Sequence, residues 1–148
     1  MKKITRGLLV TWMLAATTAF AGPAEEASAV VDLWSATYTA NDRNALTSLY
    51  TPDALLFGTT DRVATRGAEQ ILKYFVALDK GGRRNAIVEK SATVLGPEHV
   101  LVTGFYDFSR KEDEYAPRPS RFTMVMVKQE GRWVIQHHHS SPRPDIRK

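Results

Sequence analysis

The sequence has 148 residues, 43% of them hydrophobic and 24% charged, with 20 lysines and arginines against 16 aspartates and glutamates. This length suits one domain, and the composition is that of a folded globular chain, not a disordered or collagen-like one. Because the chain has no cysteine, disulfides, a thiolate nucleophile and cysteine-ligated metal centres are excluded.

The first residues are typical of a secretory signal peptide. A basic start precedes the apolar run Leu8–Ala16, and Ala19–Ala21 has the small-x-small pattern of a cleavage site. We therefore expect residues 1–21 to be a cleaved signal peptide, 22–142 the domain and 143–148 a flexible tail, in a periplasmic or secreted protein. An uncleaved membrane anchor is the alternative, although the run is shorter than the roughly 20 residues that span a bilayer.

The charge of the remaining chain argues against nucleic-acid binding. Without Lys2, Lys3 and Arg6, 17 of the 20 basic residues remain against 16 acidic ones. A nearly neutral domain has little electrostatic attraction to phosphate backbones. We expect neither a nucleic-acid partner nor, after cleavage of the signal, a membrane partner.

Helical periodicity opens the domain. Apolar residues recur with helical spacing from Ala24 to Thr39, and a short second helix is predicted between Asp42 and Pro52. A third helix is predicted from Gly67 to Lys80.

The other segments predict strands. Ala54–Phe57 is a short strand with a return partner over Arg62–Thr65. Four longer strands joined by turns predict an antiparallel meander. The fold class is α+β, with a strongly curved, cone-shaped antiparallel sheet wrapped around the long N-terminal helix. The four strands are Asn85–Leu95, His99–Ser109, Ser120–Gln129 and Arg132–Ser141.

Three consecutive histidines lie in the last predicted strand. Strand alternation predicts Trp133 and Ile135 on the same face as His137 and His139, with His138 on the opposite face.

The order of several short motifs resembles the nuclear transport factor 2-like (SnoaL-like) superfamily. Over about Ala24 to Pro142, the chain is most similar to bacterial relatives of the calcium/calmodulin-dependent protein kinase II association domain. The resemblance implies a cone-shaped sheet around a long helix, an enclosed pocket, and dimers or larger rings. The motifs are Trp34, Leu49-Tyr50, Asp53-Ala54, Arg66-Gly67, Arg121-Phe122-Thr123, Gly131-Arg132-Trp133 and His137–Ser141.

The resemblance also suggests site residues. In the kinase association domain, arginines of the sheet line the pocket and a His-x-His-x-Ser sequence ends the last strand. Arg121 matches one such arginine, and His137, His139 and Ser141 match that ending. Because the strand His99–Ser109 has no arginine, a pocket with several arginines is not expected.

Arg121 is our candidate for binding the carboxylate of a ligand through two parallel hydrogen bonds. The alternative is an internal ion pair with Asp107 or Glu69, because a buried charge needs a partner.

The two histidines have three interpretations. His137 and His139, with Asp107, have the residue types of a metal site, and with Tyr106 and Asp107 they are candidates for acid–base catalysis. They also suit a pocket wall or a subunit interface. We expect no metal and no cofactor.

Aromatic residues are candidates for the lining of the pocket, although such spacing is also that of core packing. Trp34, Tyr38, Tyr106 and Trp133 are the main candidates, and Phe57, Phe75 and Phe108 are further ones. Met124 and Met126 suggest an apolar subunit interface.

These features predict an exported homo-oligomeric domain that binds a small molecule, in particular one with a carboxylate. The alternative is a cofactor-independent isomerase, lyase or hydrolase that uses His, Asp and Tyr side chains. The partners expected are a second copy of the chain, as a homodimer or larger ring, and the small molecule.

Overall fold

The computed structural model describes residues 21–144, so the predicted signal peptide up to residue 20 and the end of the predicted tail lie outside the described residues. Within residues 21–144, no helix has the length and hydropathy needed to cross a membrane. The helices are α1 (Pro23–Thr39), α2 (Arg43–Thr47) and α3 (Ala68–Tyr74), with 3₁₀ turns at Phe75–Lys80 and Lys111–Asp113. The strands are β1 (Tyr50–Phe57), β2 (Thr65–Arg66), β3 (Arg83–Gly96), β4 (His99–Arg110), β5 (Arg118–Gln129) and β6 (Arg132–Pro142).

Helix α1 forms as predicted. Pro23 lies in its first turn, where the missing N–H costs nothing. Ala27, Val31, Trp34 and Ser35 are buried on one face, at the spacing of about two helical turns. The indole of Trp34 is 1% exposed, which makes this face the centre of the core.

The sheet has six strands in the order β2-β1-β6-β5-β4-β3. The last four form the predicted antiparallel meander, whereas β1 pairs in parallel with β6. The second helix ends at Thr47, and the predicted helical residues from Tyr50 to Pro52 belong to β1, so this boundary is wrong. The α+β class and the curved sheet with an N-terminal helix are confirmed.

Side chains at the end of α1 fix the start of β3. The amide of Asn41 donates to the Arg83 carbonyl at 3.0 Å, and its oxygen accepts from the Arg83 N–H at 3.1 Å. Thr39 bonds in the same way to the backbone N–H and carbonyl of Asn85. Because β3 is an edge strand, these contacts satisfy backbone N–H and C=O groups that have no partner strand on that side. They also set the position of Arg83.

The predicted alternation along β6 is wrong after Ile135. Val125 pairs with His137, whereas Met126 pairs with Ile135, so Gln136 has no partner on β5 and forms a bulge. One extra residue exchanges the two faces for every later position. His138 therefore points into the domain with Ile135, and His137 and His139 point outward.

The inner face of the sheet and α1 enclose the hydrophobic core. Met124 and Met126 are fully buried in it, so the suggestion that they form a subunit interface is wrong. The core contains side chains from α1, from all the long strands and from the segment that runs from α3 through the following 3₁₀ turn.

Candidate functional site

A cavity of about 720 Å³ lies between α1, the segment that follows β1, the 3₁₀ turn after α3 and the inner face of the sheet. This volume is in the range of small-molecule sites. Its wall combines apolar and aromatic side chains with a few polar ones. The apolar and aromatic members include Trp34, Tyr38, Leu56, Tyr74, Phe75, Leu78, Tyr106 and Phe108.

Arginines from three successive strands line the mouth of the cavity. Arg83 begins β3, Arg110 ends β4 and Arg118 begins β5. In an antiparallel meander these three positions lie at the same end of the sheet. We expected no pocket with several arginines, because the predicted strand His99–Ser109 contains none. This expectation is wrong, because β4 continues one residue further, to Arg110.

Arg83 and Arg110 are direct cross-strand partners. Arg110 donates to Asp113 at 2.6 Å, and Arg118 also forms an ion pair with Asp113. Arg83 donates from Nε to the carbonyl of Ala77 at 3.2 Å, and no carboxylate of residues 21–144 lies within salt-bridge distance of it. Positive charge is therefore only partly neutralised here.

Tyr38 connects the mouth to the aromatic wall. Its ring stacks on Trp34 with centroids 5.4 Å apart. Burial raises the pKa of the Tyr38 hydroxyl, and the guanidinium groups of Arg83 and Arg110 act in the opposite direction. The hydroxyl is thus protonated at neutral pH and lies beside both cations.

Tyr74 also lines the cavity. Burial, together with the charge of Asp61, raises the pKa of Tyr74 to about 12. Gly58 provides the space for this ring, since a Cβ there would lie 2.4 Å from the Tyr74 hydroxyl. Asp61 also lines the cavity and is exposed, so the wall of the cavity includes an accessible carboxylate as well as the arginines.

Four buried side chains form a hydrogen-bonded series at the inner end. Trp34 Nε1 donates to the Tyr50 hydroxyl at 2.8 Å, which lies 2.8 Å from His138 Nδ1. His138 Nε2 lies 3.3 Å from the Tyr106 hydroxyl. Burial lowers the pKa of His138 to about 3, and burial raises the pKa values of Tyr50 and Tyr106, so these groups are neutral at neutral pH.

His137 and His139 do not line this cavity. On the outer face of the sheet they lie beside Phe57, with ring centroids 5.7 and 5.9 Å from it. Burial lowers the pKa of His137, and the charge of His139 adds to this effect. Within residues 21–144, no three His, Asp or Glu side chains lie close enough together to bind a metal ion. His137, His139 and Asp107 therefore do not form the hypothesised metal site.

Arg121 also lies on the outer face. It is exposed and donates from Nε to the Ser141 hydroxyl at 3.0 Å, so the structure places it neither in the cavity nor in an ion pair with Asp107 or Glu69. Asp107 is half-buried and follows the inward-facing Tyr106, on the opposite side of the strand.

Trp133 lies in the core, outside the lining of the cavity. Its indole donates to Glu26 at 2.9 Å, and Lys128 donates to the same carboxylate. These two hydrogen bonds lower the pKa of Glu26. The structure thus brings together Trp34, Tyr38 and Tyr106 of the predicted ligand residues.

Sequence analysis missed Arg83, Arg110 and His138 as site residues. The two arginines could have been found from the sequence. Each lies at the end of a strand, and an antiparallel meander brings these two strand ends to the same end of the sheet. His138 had no such signal, because its inward direction depends on the bulge at Gln136.

The sequence model of the SnoaL-like domain matches residues 27–145. A search of curated protein sequences returns no match. Among solved structures, one from Xanthomonas campestris, provisionally assigned as a calcium/calmodulin-dependent protein kinase II association domain, is 27% identical. The alignment covers 90% of this chain and 100% of that one, with a TM-score of 0.74. These matches confirm the predicted resemblance.

Two further structures share the fold at lower identity. A ketosteroid isomerase-like protein from Erwinia carotovora atroseptica is 16% identical, with a TM-score of 0.70 and coverage of 85% of this chain and 100% of that one. A protein from Streptomyces avermitilis, provisionally assigned as an NTF2-like dehydratase, is 16% identical, with a TM-score of 0.74 and coverage of 82% and 96%.

Proposed function

Because this chain belongs to the SnoaL-like domain family, and folds of this type bind small molecules or act as isomerase-type enzymes, we propose that it binds an apolar organic acid. The aromatic cavity receives the body of the acid, and Arg83 and Arg110 bind its carboxylate. The observation that carries this proposal is the direct pairing of these two arginines at the mouth.

Two like charges directly opposite each other destabilise a sheet. An anion between them would turn this repulsion into attraction, and a carboxylate accepts hydrogen bonds from a guanidinium with good geometry. Asp113 satisfies Arg110 and Arg118 in part, which leaves Arg83 as the arginine with the greatest capacity for a ligand. The Tyr38 hydroxyl lies beside both arginines as a further donor.

Isothermal titration calorimetry with phenylalkanoates of increasing chain length tests the proposal. We expect binding that Arg83→Ala weakens about tenfold or more, since a hydrogen bond to a charged group contributes roughly 1.5–3 kcal/mol. Arg121→Ala is the matched control, because that arginine is exposed on the outer face. Unchanged affinity in Arg83→Ala, or no binding by any of these acids, would contradict the proposal.

A second candidate is proton transfer at carbon, as in an isomerase. The exposed carboxylate of Asp61 and the buried residue Tyr106 both line this cavity, and a carboxylate with a hydroxyl is the pairing of base and donor that such chemistry uses. Deuterium exchange at the carbon next to the ketone of a benzoylalkanoate, followed by NMR, distinguishes the two. Exchange that requires Asp61 supports catalysis, whereas binding without exchange supports a binding protein.

A second copy of the chain is the proposed protein partner. The outer face carries Phe57, which is 41% exposed, together with His137 and His139. The Xanthomonas structure that resembles this chain is named for an association domain. Light scattering should report a dimer or larger species that Phe57→Glu reduces to a monomer. A monomer in the unmodified protein would contradict this part of the proposal.

A further inference from the structure

We propose that Asp113 determines how many carboxylates the ligand can carry, because it occupies one of two carboxylate-binding positions at the mouth and restricts the site to acids with a single carboxylate. The inference rests on the proposed function, since it concerns the arginines of the same cavity. Asp113 acts through Arg110 and Arg118, and it is therefore a positioning residue.

Strand pairing fixes the order of the three arginines at the mouth. Arg83 is directly opposite Arg110, and Arg118 is directly opposite Phe108. Arg118 is therefore a diagonal neighbour of Arg110, within reach of long side chains. Because Arg110 lies in the middle, an anion has two positions available, the Arg83–Arg110 position and the Arg110–Arg118 position.

The Arg110–Arg118 position already holds a carboxylate of the chain itself. Arg110 donates to Asp113 from Nε at 2.6 Å and from Nη2 at 3.3 Å, which is the bidentate arrangement of a guanidinium with a carboxylate. Arg118 donates to the same carboxylate from Nη2. The hydrogen bond from Arg110, together with that from Arg118, lowers the pKa of Asp113, so its carboxylate is ionised at neutral pH.

The Arg83–Arg110 position is open by comparison. Within residues 21–144, no carboxylate lies within salt-bridge distance of Arg83. Its partners are the carbonyl of Ala77 and the hydroxyl of Tyr38, which are both neutral. A ligand with one carboxylate therefore fits the mouth as it stands, and a second carboxylate would compete with Asp113.

Solvent reaches the arginines of the Arg110–Arg118 position. Their side chains are 35% and 51% exposed, and both residues line the cavity. Asp113 is 29% exposed and reaches them from the connection between β4 and β5. Without its carboxylate, both guanidinium groups would be available to a ligand at the mouth.

The backbone after Asp113 keeps it beside the arginines. Glu114 and Tyr115 have φ values of 52° and 60°, which are uncommon for residues other than glycine. Such conformations cost free energy and occur at ligand-binding segments. The N–H of Tyr115 donates to the Arg110 carbonyl at 2.9 Å, and the Arg84 guanidinium lies 3.7 Å from the centre of the Tyr115 ring.

Isothermal titration calorimetry with phenylbutanoate and benzylsuccinate tests the inference, since the second acid adds one carboxylate to the skeleton of the first. The unmodified protein should bind the monoacid more tightly, and tighter binding of the diacid would contradict the restriction. Asp113→Ala should shift the ratio of the two affinities towards the diacid about tenfold or more, as expected for hydrogen bonds to a charged group. Asp113→Asn, which removes the charge and keeps the size, should shift the ratio in the same direction.

Glu112→Gln is the matched control. Glu112 precedes Asp113 in the same turn, is exposed, and its charge acts on Arg110 without a hydrogen bond. Its removal should change the ratio by no more than about twofold, because salt screens exposed charges. Adding Arg118→Gln to Asp113→Ala should cancel the gain for the diacid, and a gain that persists would show that Arg118 does not bind the second carboxylate.

The outcomes separate this inference from the proposed function. If Arg83→Ala weakens binding of phenylbutanoate but Asp113→Ala leaves the ratio unchanged, the acid site stands and the role of Asp113 is overturned. Equal weakening of both acids in Asp113→Ala would show that Asp113 only supports Arg110, which also overturns it. If the ratio shifts although Arg83→Ala has no effect, this inference is supported and the proposed function is contradicted. If neither acid binds, both proposals fail.

Discussion

Arg83 and Arg110 are direct partners in the ladder between β3 and β4, and both line the mouth of the cavity. Like charges in this arrangement oppose folding. The hydrogen bonds from Asn41 hold Arg83 in place despite this repulsion. Positive charge is therefore concentrated at this end of the sheet.

Arg83→Gln should stabilise the ligand-free protein. The substitution removes one of two opposed charges, so the melting temperature at low salt should rise, and added salt should raise it less than in the unmodified protein. Differential scanning calorimetry at two salt concentrations measures both effects. Arg121→Gln, on the exposed outer face, should change neither; a lower melting temperature in Arg83→Gln would contradict the prediction.

His138 should make stability depend on pH below about 6.5. Its pKa is about 3 in the folded protein and about 6.5 in an unfolded chain, so the unfolded state binds more protons between these values. The contribution of His138 to the free energy of unfolding is therefore fully present above pH 6.5. It decreases as the pH falls towards 3, with a slope approaching about 1.4 kcal/mol per pH unit. Urea unfolding at a series of pH values measures it.

A comparison with variants separates the contribution of His138 to the pH dependence from that of the carboxylates, which titrate in the same range. His138→Gln should reduce the slope by about one proton. His139→Gln is the matched control, because its side chain is exposed, and it should retain most of the slope. Equal slopes in all three proteins would show that His138 has the same pKa in the folded and unfolded states, which would contradict the prediction.

Gly104→Ala should destabilise the sheet. A Cβ at this position would lie 2.2 Å from the carbonyl oxygen of Glu89 and 2.9 Å from the Cα of Lys90, so β3 and β4 would have to separate. We expect a loss of about 1–3 kcal/mol in urea unfolding, as for other overpacked sites. Gly96→Ala is the control, since nothing lies within 4 Å of a Cβ there.

Trp34→Phe should destabilise the protein by about 1–3 kcal/mol, because the buried Tyr50 hydroxyl loses its donor. Leu33→Ala changes the neighbouring residue, which is 52% exposed, and should stay within about 0.5 kcal/mol of the unmodified protein. If the two variants unfold at the same urea concentration, the indole hydrogen bond contributes little.

The elements of the fold were predictable because they depend on local periodicity. The spacing of Ala27, Val31 and Trp34 predicts α1, and turns such as Glu130-Gly131 separate the strands of the meander. Both torsions of that turn are left-handed, with φ values of 50° and 78°, as a tight hairpin needs. The boundary near Pro52 was wrong because a parallel partner, β6, overrides the local helical pattern.

The site was predictable only in part. By itself, the sequence determined that Trp34, Tyr38 and Tyr106 lie on inward faces, because an apolar face must be buried whatever the details of packing. Only the tertiary structure decided that His138 points inward, since a bulge of one residue at Gln136 reverses the alternation that local pattern implies. It also decided that Arg83 meets Arg110, because pairing between strands brings together residues that are far apart in the chain.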